Sequence, residues 1–226
     1  VFASEVPGGG ITMASCEQYH IVVHGKGGHG SMPENCIDPI TAAAHIHIAL
    51  QEINARELSQ NDFGVLTTGR FAAGAASNVI PDTAEMWGTI RTTDPEGAVT
   101  ELLHKRMTEI VQGVAMAYRC TADVEYNRGV PPFICEDEWV DRALRVGKKM
   151  LGEENTKIMP YATMGGEDFA FIKEKKPGIF VRLGARTPGG AYGSAHSPTF
   201  YCDNACIPVG MLTIIGLAAD YLDFEV

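Results

Sequence analysis

The chain has 226 residues, of which 45% are hydrophobic and 20% are charged. This composition is typical of a globular protein with an apolar core and excludes a chain dominated by disorder, while no uncharged run reaches the about 18 apolar residues of a membrane span. The formal net charge of −10 and the absence of a Lys/Arg cluster argue against nucleic acid as a partner.

The first half of the chain alternates predicted strands and helices. Residues 19–23 form a β-prone run that ends at a glycine cluster, which predicts a strand. Asp38 and Pro39 are typical of the N-cap and the first position of a helix. Residues 64–70 and 84–91 predict two further strands, the second because small or apolar side chains alternate with larger polar ones.

A second helix and a fourth strand complete a recognisable order. Asp94 and Pro95 repeat the helix-start signature, so we expect the helix to begin there. Its predicted apolar face, at spacings of three and four, consists of Val99, Leu103, Met107, Ile110, Val114 and Ala117. Alternation over 122–126 predicts the fourth strand. The order β-α-β-β-α-β over residues 16–128 is the ferredoxin-like, split β-α-β arrangement.

The remainder of the chain has a different pattern. Residues 128–132 are rich in Gly and Pro and predict a domain boundary. Beyond it we expect helices at 139–151, at 167–175 and from Pro208 onward, a buried strand at 179–183 and a long Gly/Pro/Ser loop at 184–198. The last helix carries a predicted apolar stripe of Met211, Ile214, Ala218 and Tyr221. Two strands at most are too few for an α/β sheet of about five or six, so we expect strands from outside this sequence to complete it.

The six cysteines are scattered along the chain and form no C-x-x-C pair. This spacing is not that of a small disulfide scaffold, so we expect reduced thiols in a cytoplasmic protein. Cys202 and Cys206 resemble half of a structural zinc site, but no second half with suitable spacing is present.

Residues 25–30, Gly-Lys-Gly-Gly-His-Gly, match the G-x-G-x-x-G dinucleotide motif. The next helix is predicted at Asp38 rather than within the glycines, and no acidic residue ends a second parallel strand, so we reject nucleotide binding. What remains is a histidine, His29, on a glycine-rich turn, where an imidazole can donate a hydrogen bond to a developing oxyanion. A surface histidine in a flexible loop is the alternative.

Four other polar residues each allow a structural and a functional interpretation. Asn78 is either a simple turn residue or a ligand contact. Arg91 is either a strand arginine that is solvated or paired with a glutamate, such as Glu85 on its own strand face, or it binds a carboxylate through its guanidinium fork. Glu167 either caps a helix or acts as a general base. His196 lies in the long loop, and a lone histidine cannot fix a metal.

Taken together, these stretches resemble the C-terminal part of a binuclear metallo-amidohydrolase of the aminoacylase/carboxypeptidase family. Hippurate hydrolases, N-acyl-amino-acid deacetylases and plant auxin-conjugate hydrolases form the most similar group. The matching residues occur in the order and spacing of the family: 25–30, Pro33, 37–39, 78–82, 88–91, 166–169 and 196–198.

The resemblance implies an α/β fold with two parts. Residues 1–15 would be the end of an upstream catalytic-domain segment and hinge, 16–128 a ferredoxin-like lid and dimerisation domain, and 129–226 the C-terminal, incomplete part of a metallohydrolase catalytic domain. The implied enzyme is a homodimer through the lid. It hydrolyses the amide bond of N-acyl amino acids or similar small conjugates with water bridging two divalent metal ions, zinc or manganese.

The resemblance also implies roles for individual residues. His29 would be the catalytic lid histidine that reaches into the partner subunit's active site and stabilises the oxyanion. His196 would be the C-terminal metal ligand. Substrate contacts are implied for Asn78, Arg91, Gly166 and Glu167.

One departure from the family is large. Its other metal ligands and its general-base glutamate have no counterpart in this sequence, and one histidine falls short of the three or four ligands of a zinc site. We therefore expect a C-terminal fragment that is inactive alone and binds no metal alone. The alternative is a non-catalytic module for dimerisation or for binding a small ligand, which β-α-β-β-α-β domains also support.

Overall fold

The computed structural model describes residues 2–4, 10–187, 189–190, 193 and 196–224 of the chain. Its helices and strands in chain order are β1 Phe2–Ser4, β2 Ile11–Met13, β3 Cys16–His24, β4 Gly28–His29, α1 Pro39–Glu52, β5 Gly64–Ala73, β6 Val79–Ile80, β7 Thr83–Thr92, α2 Ala98–Ala117, β8 Thr121–Val130, β9 Phe133–Ile134, α3 Asp137–Leu151, β10 Lys157–Met159, α4 Phe169–Lys173 and α5 Cys206–Tyr221. Parts of the predicted segments 1–15 and 184–198 lie outside the described residues. In the described part, none of the helices combines the length and the apolarity needed to cross a bilayer.

The chain forms two compact units. The first, which we call the sheet unit, comprises residues 13–133 and 163–171. The second, the flanking unit, comprises residues 1–12, 134–162 and 172–226.

The sheet unit contains a four-stranded antiparallel sheet with the strand order β5-β7-β3-β8. Helices α1 and α2 share one core with one face of this sheet. The largest fully buried side chains of that core include Ile21, Ile46, Met86, Leu103 and Met107. The strand order and the two crossover helices confirm the ferredoxin-like arrangement predicted from the sequence.

Helix α1 begins where the sequence predicts it. The Asp38 carboxylate accepts a hydrogen bond from the Ile40 amide at 2.9 Å, and Pro39 occupies the first helical position. The N-cap thereby satisfies one of the amides that a helix start leaves unpaired.

Helix α2 begins three residues later than the predicted start at Pro95. The Asp94 carboxylate does accept from the amides of Glu96 and Val99, at 3.0 and 2.7 Å, but Gly97 intervenes with a left-handed φ of 82°. The buried face of α2 consists of Val99, Leu103, Met107, Val111 and Ala115. Of the residues predicted for this face, Ile110 and Val114 are only partly buried and Ala117 is exposed. A helix repeats every 3.6 residues, so positions chosen at spacings of three and four drift away from the buried face over five turns.

The opposite face of the sheet is polar. One row of cross-strand neighbours spans all four strands, from Arg70 through Trp87 and His20 to Glu125. The Trp87 ring stacks on His20 at 4.7 Å and carries the Arg70 guanidinium 4.0 Å from its centroid. Such cross-strand pairs stabilise a sheet face that no helix covers.

The flanking unit pairs β1 with β10 in parallel and packs α3 against α5. Arg145 donates two hydrogen bonds to the Asp220 carboxylate, which lowers the pKa of Asp220 from its ordinary value. At the same helix contact a Cβ on Gly216 would lie 3.0 Å from Val146, so the small residue permits the close approach.

Two predictions in this unit are wrong. Residues 179–183, expected as a buried strand, are irregular and half-buried to exposed, with one isolated bridge residue at Arg182. Helix α5 begins at Cys206 rather than at Pro208, and its predicted stripe is exposed: Met211, Ile214, Ala218 and Tyr221. Its buried face instead consists of Thr213, Gly216 and Ala219. Because α5 is apolar on several faces, its sequence does not single out the one that packs on α3.

Candidate active site

A two-stranded ribbon in the sheet unit brings His29 and Asn78 together. In this ribbon β4 pairs with β6, with Gly28 opposite Ile80 and His29 opposite Val79. The Gly30 amide also donates to the Asn78 carbonyl at 2.9 Å. His29 and Val79 therefore form a non-hydrogen-bonded pair whose side chains project on the same side of the ribbon.

The glycines of residues 25–30 permit close packing of backbone on backbone. A Cβ on Gly27 would lie 2.7 Å from the Ile80 carbonyl oxygen, and a Cβ on Gly30 would lie 3.0 Å from the Asn78 carbonyl oxygen. The next helix, α1, begins only at Pro39. The glycines thus serve the ribbon that presents His29, and no helix N-terminus faces them.

The His29 ring is exposed, and its hydrogen bond assigns the proton. The Ser31 amide donates to Nδ1 of His29 at 3.1 Å. Because Nδ1 accepts, the neutral imidazole carries its proton on Nε2. His29 therefore offers an N–H donor to a group outside the ribbon.

Arg91 lies near the end of β7 and is half-buried. A Cβ built on Gly166 would lie 3.1 Å from Nη1 of Arg91 and 2.9 Å from Cβ of Cys16. Arg91 and Gly166, both predicted as substrate contacts, are therefore neighbours. Glu85, the expected structural partner of Arg91, instead bonds His20 Nε2 at 2.9 Å. Within the described residues, no carboxylate forms an ion pair with the Arg91 guanidinium.

A chain of buried hydroxyl groups fixes the strand end that carries Arg91. The Thr92 hydroxyl lies 2.9 Å from the hydroxyls of both Ser15 and Thr100, and the Thr92 amide donates to the Ser15 hydroxyl at 3.0 Å. Thr92 is fully buried. This network and Cys16 escaped the sequence analysis, because neither isolated hydroxyl residues nor a single thiol form a recognisable motif.

Glu167 caps a helix in this structure. Its carboxylate accepts from the Phe169 amide at 3.2 Å, at the start of α4. The residue is half-buried and adjoins Gly166 in the chain. The capping interpretation of Glu167 accounts for the contact that the structure describes.

His196 lies in the flanking unit with an exposed side chain and a left-handed φ of 63°. Among the residues that the structure describes, no group of three or more His, Cys, Asp or Glu side chains could hold a metal ion. These donors therefore do not fit a binuclear centre, and we assign no chemical step to a metal.

His29 and Arg91 stand at opposite ends of β7. The ribbon precedes Thr83, the first residue of the strand, whereas Arg91 is its penultimate residue. Eight residues of extended chain span about 26 Å. One sheet unit consequently cannot place both side chains on the same small molecule.

Comparison with known proteins connects this geometry to a family. The sequence profile of a peptidase dimerisation domain matches residues 17–118. The chain is 31% identical over 217 residues to an IAA-amino acid hydrolase of Arabidopsis thaliana, covering 94% of this chain and 48% of that protein. It is 33% identical over 214 residues to an N-acetylcysteine deacetylase of Bacillus subtilis, covering 95% and 54%.

A solved structure agrees. A dinuclear metal binding peptidase from the M20 family, from Bacillus subtilis, superposes with a TM-score of 0.74 at 29% identity, over 96% of this chain and 52% of that one. Residues 17–118 are therefore an M20 peptidase dimerisation domain. The chain spans about half the length of the curated relatives it matches.

We expect Gly166→Ala to destabilise the chain by about 1–3 kcal/mol, because the new methyl would lie within 2.9 Å of Val130 Cγ2 and Cys16 Cβ. Gly113→Ala is the matched control. Nothing lies within 4 Å of a Cβ at Gly113, which is inside α2, so we expect a gain of about 0.5–1 kcal/mol. Urea unfolding of both variants measures the difference, and shifts of the same sign would contradict the packing described.

Proposed function

We propose that this chain belongs to a hydrolase that cleaves the amide bond of N-acyl amino acids or similar small conjugates. In this proposal residues 16–128 are the lid and dimerisation domain, and residues 129–226 are the C-terminal part of the catalytic domain. Two relatives are named as an IAA-amino acid hydrolase and an N-acetylcysteine deacetylase, and these activities support an amino-acid conjugate as the substrate class.

The partial burial of Arg91 without an ion-pair partner is the observation that supports this proposal most strongly. The residue is half-buried, its Nη1 lies beside Gly166, and its guanidinium forms no ion pair within the described part of the chain. A partly desolvated cation is stable when an anion meets it, and a carboxylate matches the planar guanidinium fork in two hydrogen bonds. The free carboxylate of an acylated amino acid supplies that anion.

The length of β7 supports a site shared between two subunits. Because His29 lies on the ribbon before Thr83, and Arg91 lies about 26 Å from Thr83 along β7, both can serve one small substrate only if they come from different copies. We propose that Arg91 and Gly166 of one subunit bind the substrate carboxylate. His29 and Asn78 of the partner subunit then approach the amide group.

In this site His29 acts as a hydrogen-bond donor. When water adds to the amide carbonyl, negative charge develops on the carbonyl oxygen, and the Nε2–H of His29 is available to stabilise it. The Ser31 amide occupies the other ring nitrogen, so the ring cannot turn its lone pair outward without losing that bond. Donation to the oxyanion therefore fits His29 better than proton abstraction.

The remaining parts of the active site are proposed to lie outside this sequence. His196 would be one ligand of a centre of two divalent ions, zinc or manganese, and the other ligands and the general base would come from elsewhere in the protein. The exposed apolar face of α5 supports a missing packing partner: Ile207, Met211, Ile214 and Ile215 are all at least half exposed.

The lid is also proposed to form a homodimer through the edge strand β5. This edge exposes Phe71 and Val65, and the adjacent helix α1 exposes Ile48. The other edge strand, β8, presents Asp123 and Glu125, charges of the kind that prevent strands from pairing edge to edge. Free thiols at all six cysteines support the prediction of a cytoplasmic protein.

We expect Arg91→Met in the full-length hydrolase to raise KM for an N-acyl amino acid about 10- to 100-fold, because a charge-assisted hydrogen bond is lost. With the substrate carboxylate replaced by a carboxamide, wild type and variant should have similar KM values. Arg128→Met, on the exposed end of β8, is the control. Equal loss on both substrates would disprove carboxylate recognition by Arg91.

We expect His29→Ala in the full-length hydrolase to lower kcat by about 10²–10³, with the metal content unchanged, because one oxyanion donor is removed. His24→Ala is the matched control, since the His24 ring pairs with Asp123 at 2.9 Å on the sheet face. Steady-state kinetics and metal analysis measure the effect. Near-normal turnover by the His29 variant would refute its role.

We expect Phe71→Lys to convert the dimer into a monomer, because a charge would enter a pairing edge that is apolar in the wild type. Met116→Lys changes a more exposed apolar side chain, on α2, and should leave the dimer intact. Sedimentation velocity over a range of concentrations distinguishes the two. A Phe71 variant that remains dimeric would exclude the β5 edge.

A further inference from the structure

Asp82 connects the ribbon to the sheet. The residue lies between β6 and β7, with an exposed side chain. Its carbonyl oxygen accepts from the Gly25 amide at 2.8 Å, and its carboxylate oxygen Oδ1 accepts from the Gly27 amide at 2.8 Å. One residue thus holds two amides, those of Gly25 and Gly27, of the glycine strip that leads to His29.

The ribbon needs such a contact because its ladder is short. Strands β4 and β6 pair over only two residues each, Gly28–His29 with Val79–Ile80. A two-stranded ribbon is marginally stable in water, and glycine loses more conformational freedom on ordering than any other residue. Backbone hydrogen bonds of Lys26 with Ile37 and of Gly30 with Asn78 also hold the strip, and a bond to the Gly27 amide between them restricts its conformations further.

The carboxylate of Asp82 is suited to this role by its position. A Cβ on Gly27 would lie 3.0 Å from Oδ1 of Asp82, so the close approach that makes the hydrogen bond depends on a glycine at that position. The bond fixes the backbone two residues before His29, on the same strand. A carboxylate accepting from an amide is also stronger than a neutral acceptor.

We propose that Asp82 is a positioning residue for His29. It touches no substrate; it holds the Gly27 amide so that the ribbon keeps one register, and with it the direction of the His29 ring and the bond from Ser31 to Nδ1. The consequence for catalysis rests on the proposed function of His29, whereas the positioning itself does not.

The first test uses the chain itself and three variants. Asp82→Ala removes the acceptor, Asp82→Asn keeps an acceptor oxygen, and Glu96→Ala removes a carboxylate that has no side-chain hydrogen bond among the described residues. Amide hydrogen exchange is measured at residues 27–31 and in β3. The ¹⁵N shifts of the His29 ring report which nitrogen carries the proton.

We expect Asp82→Ala to speed exchange at residues 27–31 by about 2- to 10-fold and to move the ¹⁵N shifts of His29 toward a mixture of tautomers. Exchange in β3 should stay unchanged. Asp82→Asn should restore most of the protection, and Glu96→Ala should match the wild type.

Three results would overturn the proposal. Unchanged exchange and ring signals in Asp82→Ala would show that the carboxylate fixes nothing. Equal loosening of β3 and the ribbon, or global unfolding of Asp82→Ala alone, would make Asp82 a general stability residue. Failure of Asp82→Asn to rescue would exclude the bond to the Gly27 amide as the cause.

The second test uses the full-length hydrolase. We expect Asp82→Ala to lower kcat with little change in KM, in the same direction as loss of His29 and to a smaller extent, and Asp82→Asn to recover it. If His29→Ala leaves kcat unchanged, the proposed function fails while the exchange result stands. If His29→Ala lowers kcat and Asp82→Ala does not, the positioning proposal fails.

Discussion

The length of strand β7 separates the two groups of residues that the proposed reaction uses. It begins beside the ribbon that carries His29 and Asn78 and ends at Arg91, which packs against Gly166. A strand of this length is rigid when it is paired on both sides, as β7 is by β5 and β3. Thr83 and Arg91 therefore stay about 26 Å apart in each subunit. The proposed reaction uses both groups on one small molecule and would require two copies of the chain, which gives a chemical reason for the dimerisation domain.

Local backbone chemistry accounts for the parts of the fold that the sequence predicts well. The Asp38 cap depends on a contact between near neighbours in the chain, and the alternation in β7 follows from the two-residue period of a strand. The structure has both where they were expected. The prediction that α2 begins at Pro95 is wrong because Gly97 separates the Asp94 carboxylate from the first helical turn. The prediction of the buried face of α5 is wrong because the helix is apolar on several faces, and its sequence does not show which of them packs on α3.

The candidate site likewise combines residues that the sequence predicts with long-range contacts that it does not. His29 and Asn78 are recognisable in the sequence, and the structure places them on neighbouring strands of one ribbon, with His29 opposite Val79 and Gly30 bonded to the Asn78 carbonyl. The contact of Arg91 with Gly166, and its lack of an ion pair with Glu85, could not be predicted from the sequence. Glu85 bonds His20 instead, and residue 166 folds back against the strand. Both are long-range contacts that periodicity does not encode. The described residues contain no group of three or more His, Cys, Asp or Glu side chains that could hold a metal ion, so the catalytic centre stays a proposal based on the M20 relatives.

Subunit complementation in the full-length protein tests the proposed shared site most directly. Arg91→Met and His29→Ala homodimers, each impaired alone, are mixed in equal amounts and allowed to exchange subunits. If each site takes Arg91 from one copy and His29 from the other, every mixed dimer regains one intact site, and the mixture recovers about a quarter of wild-type activity. If each site lies within a single subunit, both sites of every mixed dimer keep one defect. No recovery despite proven subunit exchange would then contradict the account.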